Sequence, residues 1–391
     1  MTTTTTADAT TPASAEPRPA GDQPRPDRPY WRLGDPVGHR QFAPTGALDL
    51  ELGGRLAEAT LAYETWGEFT GDNAVLIEHA LTGDSHVVGP AGPGHPTAGW
   101  WPGLIGPGAP LDTRRWFVVA PNVLGGCQGS TGPSSPAPDG QPYGSRFPAL
   151  TIRDQVDAEA WLAERLGVGA WAAAIGGSMG GMRALEWAAR YPQRVRRVVL
   201  LATSATATAE QIAQCAMQLE AIFVDPGWRG GDYHGLGPGP VAGLGLARRL
   251  AHLSYRSEED LTARFGRDAQ GDGEPLDGTG RFAVESYFDH HADKLVRRFD
   301  AGSYVTLTRS MNSHDIGRGR GGVAAALRAV TARATIVTIS SDRLYLPWQQ
   351  AEIADGIPDA RHEVVTSPHG HDGFLIETEQ VGAIIRAALA R

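Results

Sequence analysis

Short apolar runs and helical spacings alternate along this chain. Four uninterrupted runs stand out: Ala74-Val75-Leu76-Ile77, Trp116-Phe117-Val118-Val119, Trp171-Ala172-Ala173-Ala174-Ile175 and Val198-Val199-Leu200-Leu201. Runs of this length without polar alternation predict strands covered on both faces, at 73–80, 115–120, 171–175 and 195–202. Between them, Ile152, Val156, Ala160 and Leu162 fall at helical spacing and predict a helix over 151–166, with Gly167 as its stop. A second helix is expected over 182–189, ended by Tyr191-Pro192. Segments 46–52 and 55–64 alternate or carry β-formers, and predict a hairpin ahead of the first buried strand. Segments 87–115 and 125–133 are rich in Gly and Pro and read as long loops, which inside a compact domain are usually functional or disordered.

The rhythm breaks at residue 205. From there to 325 the spacing is helical, at 210–222, 241–255, 257–265, 281–300 and 303–311, with no convincing strand. A Gly/Asp-rich stretch, 266–280, is expected to be a mobile loop. Strand and helix then resume, with strands at 334–340 and 361–366 and helices at 348–354 and 378–390. The expected architecture is α/β, a mostly parallel sheet with helices on both faces. The core spans 29–204 and 326–391, with a helical cap inserted at 205–325. Residues 1–28, made of Thr, Pro and Ala with a few charges, have almost nothing to bury and are expected to be disordered.

Composition narrows the picture. The 391 residues carry a formal net charge of −9, which argues against nucleic acid or an anionic membrane as partner. Two cysteines, Cys127 and Cys215, make neither a disulfide framework nor a metal quartet. No signal peptide and no membrane-length apolar run is visible, so a soluble cytoplasmic protein is expected.

The chemistry centres on Gly176-Gly177-Ser178-Met179-Gly180, between an apolar run and a helix. Strand, G-x-S-x-G, helix is the nucleophile-elbow order of the α/β-hydrolases. A sharp turn lifts the serine hydroxyl clear of the sheet, beside the free N–H groups of a helix N-terminus. The hydroxyl needs a base, and the base an orienting acid. Such groups sit past the carboxyl ends of strands. Asp342 follows one predicted strand, and His369 and His371 follow the next. Asp355 and Asp359 are rival acids in a helix end and a turn, and His362 is a rival base inside a strand. Spacing does not choose between His369 and His371. Asp342 could also cap the turn before the next helix. An oxyanion hole would take one N–H from Met179 and one from Leu81, in the loop after an early strand. His79 reads as a satisfied buried histidine. Two further patterns carry little. His369-x-His371-Asp372 lacks nearby co-ligands for a metal, so no metal is expected. Gly317-Arg318-Gly319-Arg320-Gly321-Gly322 fits G-x-G-x-x-G without a preceding strand, and its arginines suit pinning the cap's return or meeting an anion.

In six stretches the chain resembles the homoserine O-acetyltransferases of methionine biosynthesis, the α/β-hydrolase-fold type. They are 76–87 (LIEHALTGDSHV), 122–135 (NVLGGCQGSTGPSS), 175–188 (IGGSMGGMRALEWA), 314–322 (HDIGRGRGG), 340–347 (SSDRLYLP) and 369–375 (HGHDGFL). Together they span about residues 40–391. The resemblance implies Ser178 as nucleophile, Asp342 as acid and His371, rather than His369, as base. It implies Arg248 and Asp372 as substrate contacts, which suits an acceptor carrying a carboxylate and an ammonium. It further implies acetyl-CoA and L-homoserine as substrates, no cofactor beyond acetyl-CoA as co-substrate, and a homodimer formed through the cap. Succinyl transfer, serine as acceptor, and an esterase or thioesterase with the same triad are the competing expectations.

Overall fold

The computed structural model describes residues 28–391. The expected tail, 1–28, falls almost wholly outside the described residues. An eight-stranded sheet forms the centre: β1 (Gln41–Asp49), β2 (Arg55–Trp66), β3 (Ala74–Glu78), β4 (Phe117–Pro121), β5 (Ala173–Gly177), β6 (Arg197–Leu201), β7 (Arg333–Ile339) and β8 (Ala360–Val365). Their spatial order is β1-β2-β4-β3-β5-β6-β7-β8. The β1–β2 and β2–β4 pairs are antiparallel and the remaining five pairs are parallel. The predicted hairpin is present, but β1 starts at Gln41. Register shifts between Pro44 and Gly46 and between Gly46 and Leu48 break its alternation, which hid the first half of the strand.

The apolar runs divide between two layers. Ala174, Val198, Leu200 and Ile336 face one core, with helices α1 (Ile152–Arg165) and α2 (Met179–Arg190) over it. Ala173, Ile175, Val199, Leu201, Val337 and Ile339 face the other, under the loop at Trp101–Trp116 and the C-terminal helix. This period-2 split is why these strands need no polar positions. Thr151 begins α1 with a capping box: its Oγ1 accepts from Asp154 N–H at 3.3 Å, and the Asp154 carboxylate accepts from Thr151 N–H at 2.8 Å. The other Asp154 oxygen accepts from Glu51 N–H at 2.7 Å, fastening the β1–β2 turn to the helix.

Between β6 and β7 lie α3 (Ala209–Phe223), α4 (Val241–Tyr255), α5 (Glu258–Phe265), α6 (Ala283–Val296) and α7 (Ala301–Asn312), close to the predicted bounds. The stretch predicted as a mobile loop is closed by a short antiparallel ladder, Arg281 opposite Gln270 and Phe282 opposite Ala269. Two-residue strands are too short to show any period in sequence. Underneath, cap residues Leu219, Ile222, Leu244, Phe299 and Tyr304 share one buried cluster with Leu81, Met179, Met182 and Tyr345 of the core. The insertion therefore rests on the edge of the sheet where Ser178 emerges, held there by this shared apolar cluster. The arginines of the Gly-rich return pin it to the core: Arg318 pairs with Glu51 at 2.7 Å and Arg320 pairs with Glu186.

Candidate active site

Chain order and sheet order diverge around β3, whose neighbours are β4 and β5, leaving a crevice past the carboxyl ends of β3 and β5. Ser178 stands there, at φ 56° and ψ −123°, a conformation L-residues rarely hold. The elbow is set from both sides. Ser178 N–H donates to Leu201 C=O at 2.9 Å, and its C=O accepts from Thr203 Oγ1 at 2.9 Å. The flanking glycines are steric necessities: a Cβ on Gly180 would lie 2.0 Å from the Glu78 oxygen, and one on Gly176 would lie 2.2 Å from the Gly180 oxygen.

Asp342 follows β7 and is buried. One carboxylate oxygen accepts from Leu344 and Tyr345 N–H at 2.8 and 3.0 Å, and the other accepts from His371 Nδ1 at 2.7 Å. Turn capping and histidine contact thus coexist in one side chain. Burial disfavours charge on the His371 imidazole, but the charge of Asp342 and its hydrogen bond outweigh this and raise its pKa above 6.5. His369 goes elsewhere: its Nδ1 meets Asp260 of α5 at 2.7 Å, tying the loop to the cap. His362, inside β8, bonds Thr338 at 2.7 Å, and Asp359 pairs with Arg391 at 2.6 Å. The Tyr345 ring stacks on His371 at 5.1 Å, and its hydroxyl interacts with the Ser178 side chain, so one buried phenol meets both residues. Tyr345 was missed from sequence, where a tyrosine in SSDRLYLP carries no chemical signal of its own.

Leu81 lies in the loop after β3. Among the described residues, no acceptor takes the N–H of Leu81 or of Met179. The loop is held by His79 and Arg183. His79 Nδ1 donates to Ala80 C=O at 2.8 Å and its Nε2 accepts from Val123 N–H at 3.0 Å, which fixes the neutral tautomer; burial and Arg183 push its pKa well below 6.5. Arg183, wholly buried on α2, donates to His79 C=O at 2.7 Å and pairs with Glu159 at 2.7 Å and Glu78 at 2.9 Å. The same helix thus carries Met179 and anchors the strand that delivers Leu81.

Arg248 and Asp372 line one cavity of about 190 Å³, with Ala80, Thr82 and Gly83 of the Leu81 loop. The Arg248 guanidinium lies over the Tyr255 ring at 5.3 Å. Asp372 is 3.4 Å from Arg256 Nε, a neighbour that the sequence did not reveal because Arg256 follows α4, far from Asp372 in the chain.

One His/Glu group outside this site gathers three potential metal ligands, Glu64, His86 and His95. The two imidazoles stack at 3.8 Å with an interplanar angle of 12°, so their in-plane lone pairs run parallel and do not converge on one ion. Nitrogens of both rings are also taken up: His95 Nε2 accepts from His39 N–H at 2.9 Å, and His86 donates from Nδ1 to Glu64 at 3.1 Å and from Nε2 to Pro90 C=O at 3.2 Å. The group is a hydrogen-bonded core. His371 and His369, bound to different aspartates, likewise form no joint ligand set. Among the described residues, no helix is long and apolar enough to cross a membrane.

Sheet order, elbow and the Ser178, Asp342, His371 chain order define the class: the family described as alpha/beta hydrolase fold matches residues 73–378. Within that class the chain belongs to the homoserine O-acetyltransferase family. It is 62% identical over 373 residues to the homoserine O-acetyltransferase of Thermobifida fusca, covering 94% of this chain and 98% of that protein. Among solved structures, the homoserine O-acetyltransferase from Bacillus anthracis matches with a TM-score of 0.82 at 26% identity, covering 90% of this chain and 97% of that one. An acetylester hydrolase from Corynebacterium glutamicum matches with a TM-score of 0.77 at 26% identity, covering 91% and 97%.

Proposed function

We propose that this chain transfers the acetyl group of acetyl-CoA to the hydroxyl of L-homoserine through an acetyl-Ser178 intermediate. The observation that carries this reading is one cavity, beside the Leu81 loop, that presents a guanidinium and, next to His371 in the chain, a carboxylate, in a chain of this family. Ser178 Oγ attacks the thioester carbonyl while its proton passes to His371 Nε2, the nitrogen not engaged by Asp342. The oxyanion is held by the N–H groups of Leu81 and Met179, each worth about 3 kcal/mol of barrier. The C–S bond breaks and the thiolate takes the proton from His371. The homoserine hydroxyl then gives its proton to the same nitrogen, attacks the acetyl carbonyl, and releases Ser178 with its proton returned. Arg248 binds the acceptor carboxylate and Asp372 its ammonium, and the cap at 205–325 keeps water from the acyl-enzyme. No cofactor beyond the co-substrate acetyl-CoA enters this scheme, and a biosynthetic enzyme of this kind belongs in the cytoplasm.

The likeness to an acetylester hydrolase keeps hydrolysis as the second reading. With acetyl-CoA alone, one enzyme equivalent of thiol is expected, and continuous release only after homoserine is added. Equal steady release without homoserine favours the hydrolase. Arg248→Ala should raise KM for homoserine roughly 10- to 100-fold, the cost of leaving a carboxylate unpaired, with the burst of thiol from acetyl-CoA intact. A lost burst overturns the role given to Arg248.

The outer face of the cap supports a homodimer. Met217 and Leu253 are 56% and 47% exposed and share a groove with Leu250 that continues past Phe288. Its rim carries both charge signs, with Glu210, Glu285, Asp289, Arg249, Arg281 and Arg343, so a second copy fits as a self-complementary partner. Leu253→Glu should convert a dimer to a monomer by light scattering. A wild-type monomer, or a dimer that survives this change, removes the proposal.

A further inference from the structure

The cavity between the Leu81 loop and the cap holds more positive charge than its acceptor needs. Arg248, Lys294 and Arg298 all line it, facing one carboxylate, Asp372. Asp372 is already matched by Arg256. Among the described residues, no carboxylate forms an ion pair with Arg248, Lys294 or Arg298, and the Nε atoms of Arg248 and Arg298 are buried without a hydrogen-bond partner. The negative charge that most favours Arg298 is that of Asp84, and no such neighbour offsets Lys294. The cavity's two histidines do not change the balance. His252 and His291 stack at 3.9 Å, and burial with Arg248 close by lowers both pKa values, that of His291 to about 3, so both are neutral.

A zwitterion does not answer this surplus. Homoserine brings one carboxylate for Arg248 and one ammonium for Asp372, and adds no net charge. The ligand that does bring negative charge is the acyl donor, whose phosphates are far from its thioester. The cations are arranged for such a ligand. His291, Lys294 and Arg298 stand at i, i+3 and i+7 along one face of α6 and its exit, facing Arg248 and His252 of α4 across the cavity. Lys294 is exposed at the mouth and Arg298 is half-buried below it.

We propose that Lys294, backed by Arg298, binds a phosphate of acetyl-CoA and is the group by which this enzyme recognises a phosphorylated acyl donor. The assignment rests on the proposed acetyl-transfer reading and names the donor half of the same site. An ammonium at an open mouth suits this task, because it follows a mobile phosphate as a point charge and releases it after transfer.

The test compares two donors, acetyl-CoA and the phosphate-free thioester S-acetyl-N-acetylcysteamine, with homoserine as acceptor. Lys294→Gln should lower kcat/KM for acetyl-CoA roughly tenfold, the scale of one charged hydrogen bond, and change that for the short thioester less than twofold. Inorganic pyrophosphate should compete with acetyl-CoA in the wild type and lose that competition in the variant, while Lys294→Arg retains it. An equal loss with both donors, a raised KM for homoserine, or no loss at all each overturns the assignment. A wild type that acetylates no homoserine from either donor instead removes the proposed function, a separate result.

Discussion

Ser178→Ala is expected to lower kcat for acetyl transfer roughly 10⁴- to 10⁶-fold and to abolish the thiol burst, because no acyl-enzyme can form. Ser178→Gly should be equally inactive yet differ from it in stability. The backbone at 178 holds a positive φ that strains any residue with a Cβ, at about 1–3 kcal/mol. Alanine keeps that strain and glycine relieves it, less the roughly 0.4–1 kcal/mol that glycine returns through a freer unfolded chain. The glycine variant should therefore unfold at higher denaturant than the alanine variant, by about 1 kcal/mol. The reverse order would mean that the elbow is not strained. Substantial remaining transfer in either variant would move the nucleophile elsewhere.

Much of this was legible in the chain because burial on both faces writes a strand as an unbroken apolar run. The segments of β3 to β6 announce themselves in that way. The elbow was legible for a related reason, since close approach of α2 to β3 demands glycine at 176 and 180. Strand order was not legible: local apolarity records that β4 is buried, not that it lies outside β3. Nor could spacing separate His369 from His371, because the choice is made by partners brought in from elsewhere. Asp260, 109 residues away on the cap, takes one, and Asp342 takes the other. Arg256 beside Asp372, and Tyr345 against His371 and Ser178, were missed for the same reason, as each gains its role only through contacts across the fold. The surplus of cations around Lys294 shows the limit most clearly. On α6 it is one basic residue among several polar ones, and its meaning lies in the cavity it shares with Arg248 and Arg298, where Asp372 is the one carboxylate among the lining residues.

Asp342→Asn should lower kcat by about 10⁴-fold, with stability little changed, and the reason is orientational. Two backbone N–H groups, of Leu344 and Tyr345, donate to one Asp342 oxygen. In the variant they hold the amide oxygen at that place, so the amide nitrogen must face His371. An NH₂ group donates where a carboxylate accepts, so His371 Nδ1 becomes an acceptor and its proton moves to Nε2, the atom that must take the proton of Ser178. The pH profile separates this from a loss of fold. In the wild type the imidazole must be neutral to act as base, and its pKa lies above 6.5 because Asp342's charge and hydrogen bond overcome burial. Activity in the acetylation half-reaction should thus rise with pH through an apparent pKa above 6.5. Removing the carboxylate charge leaves burial opposed only by the charge of Asp372, and the residual activity of the variant should rise through an apparent pKa below that of the wild type. Two profiles with the same acid limb would show that Asp342 does not set the charge of His371, and the acid role would pass to another residue.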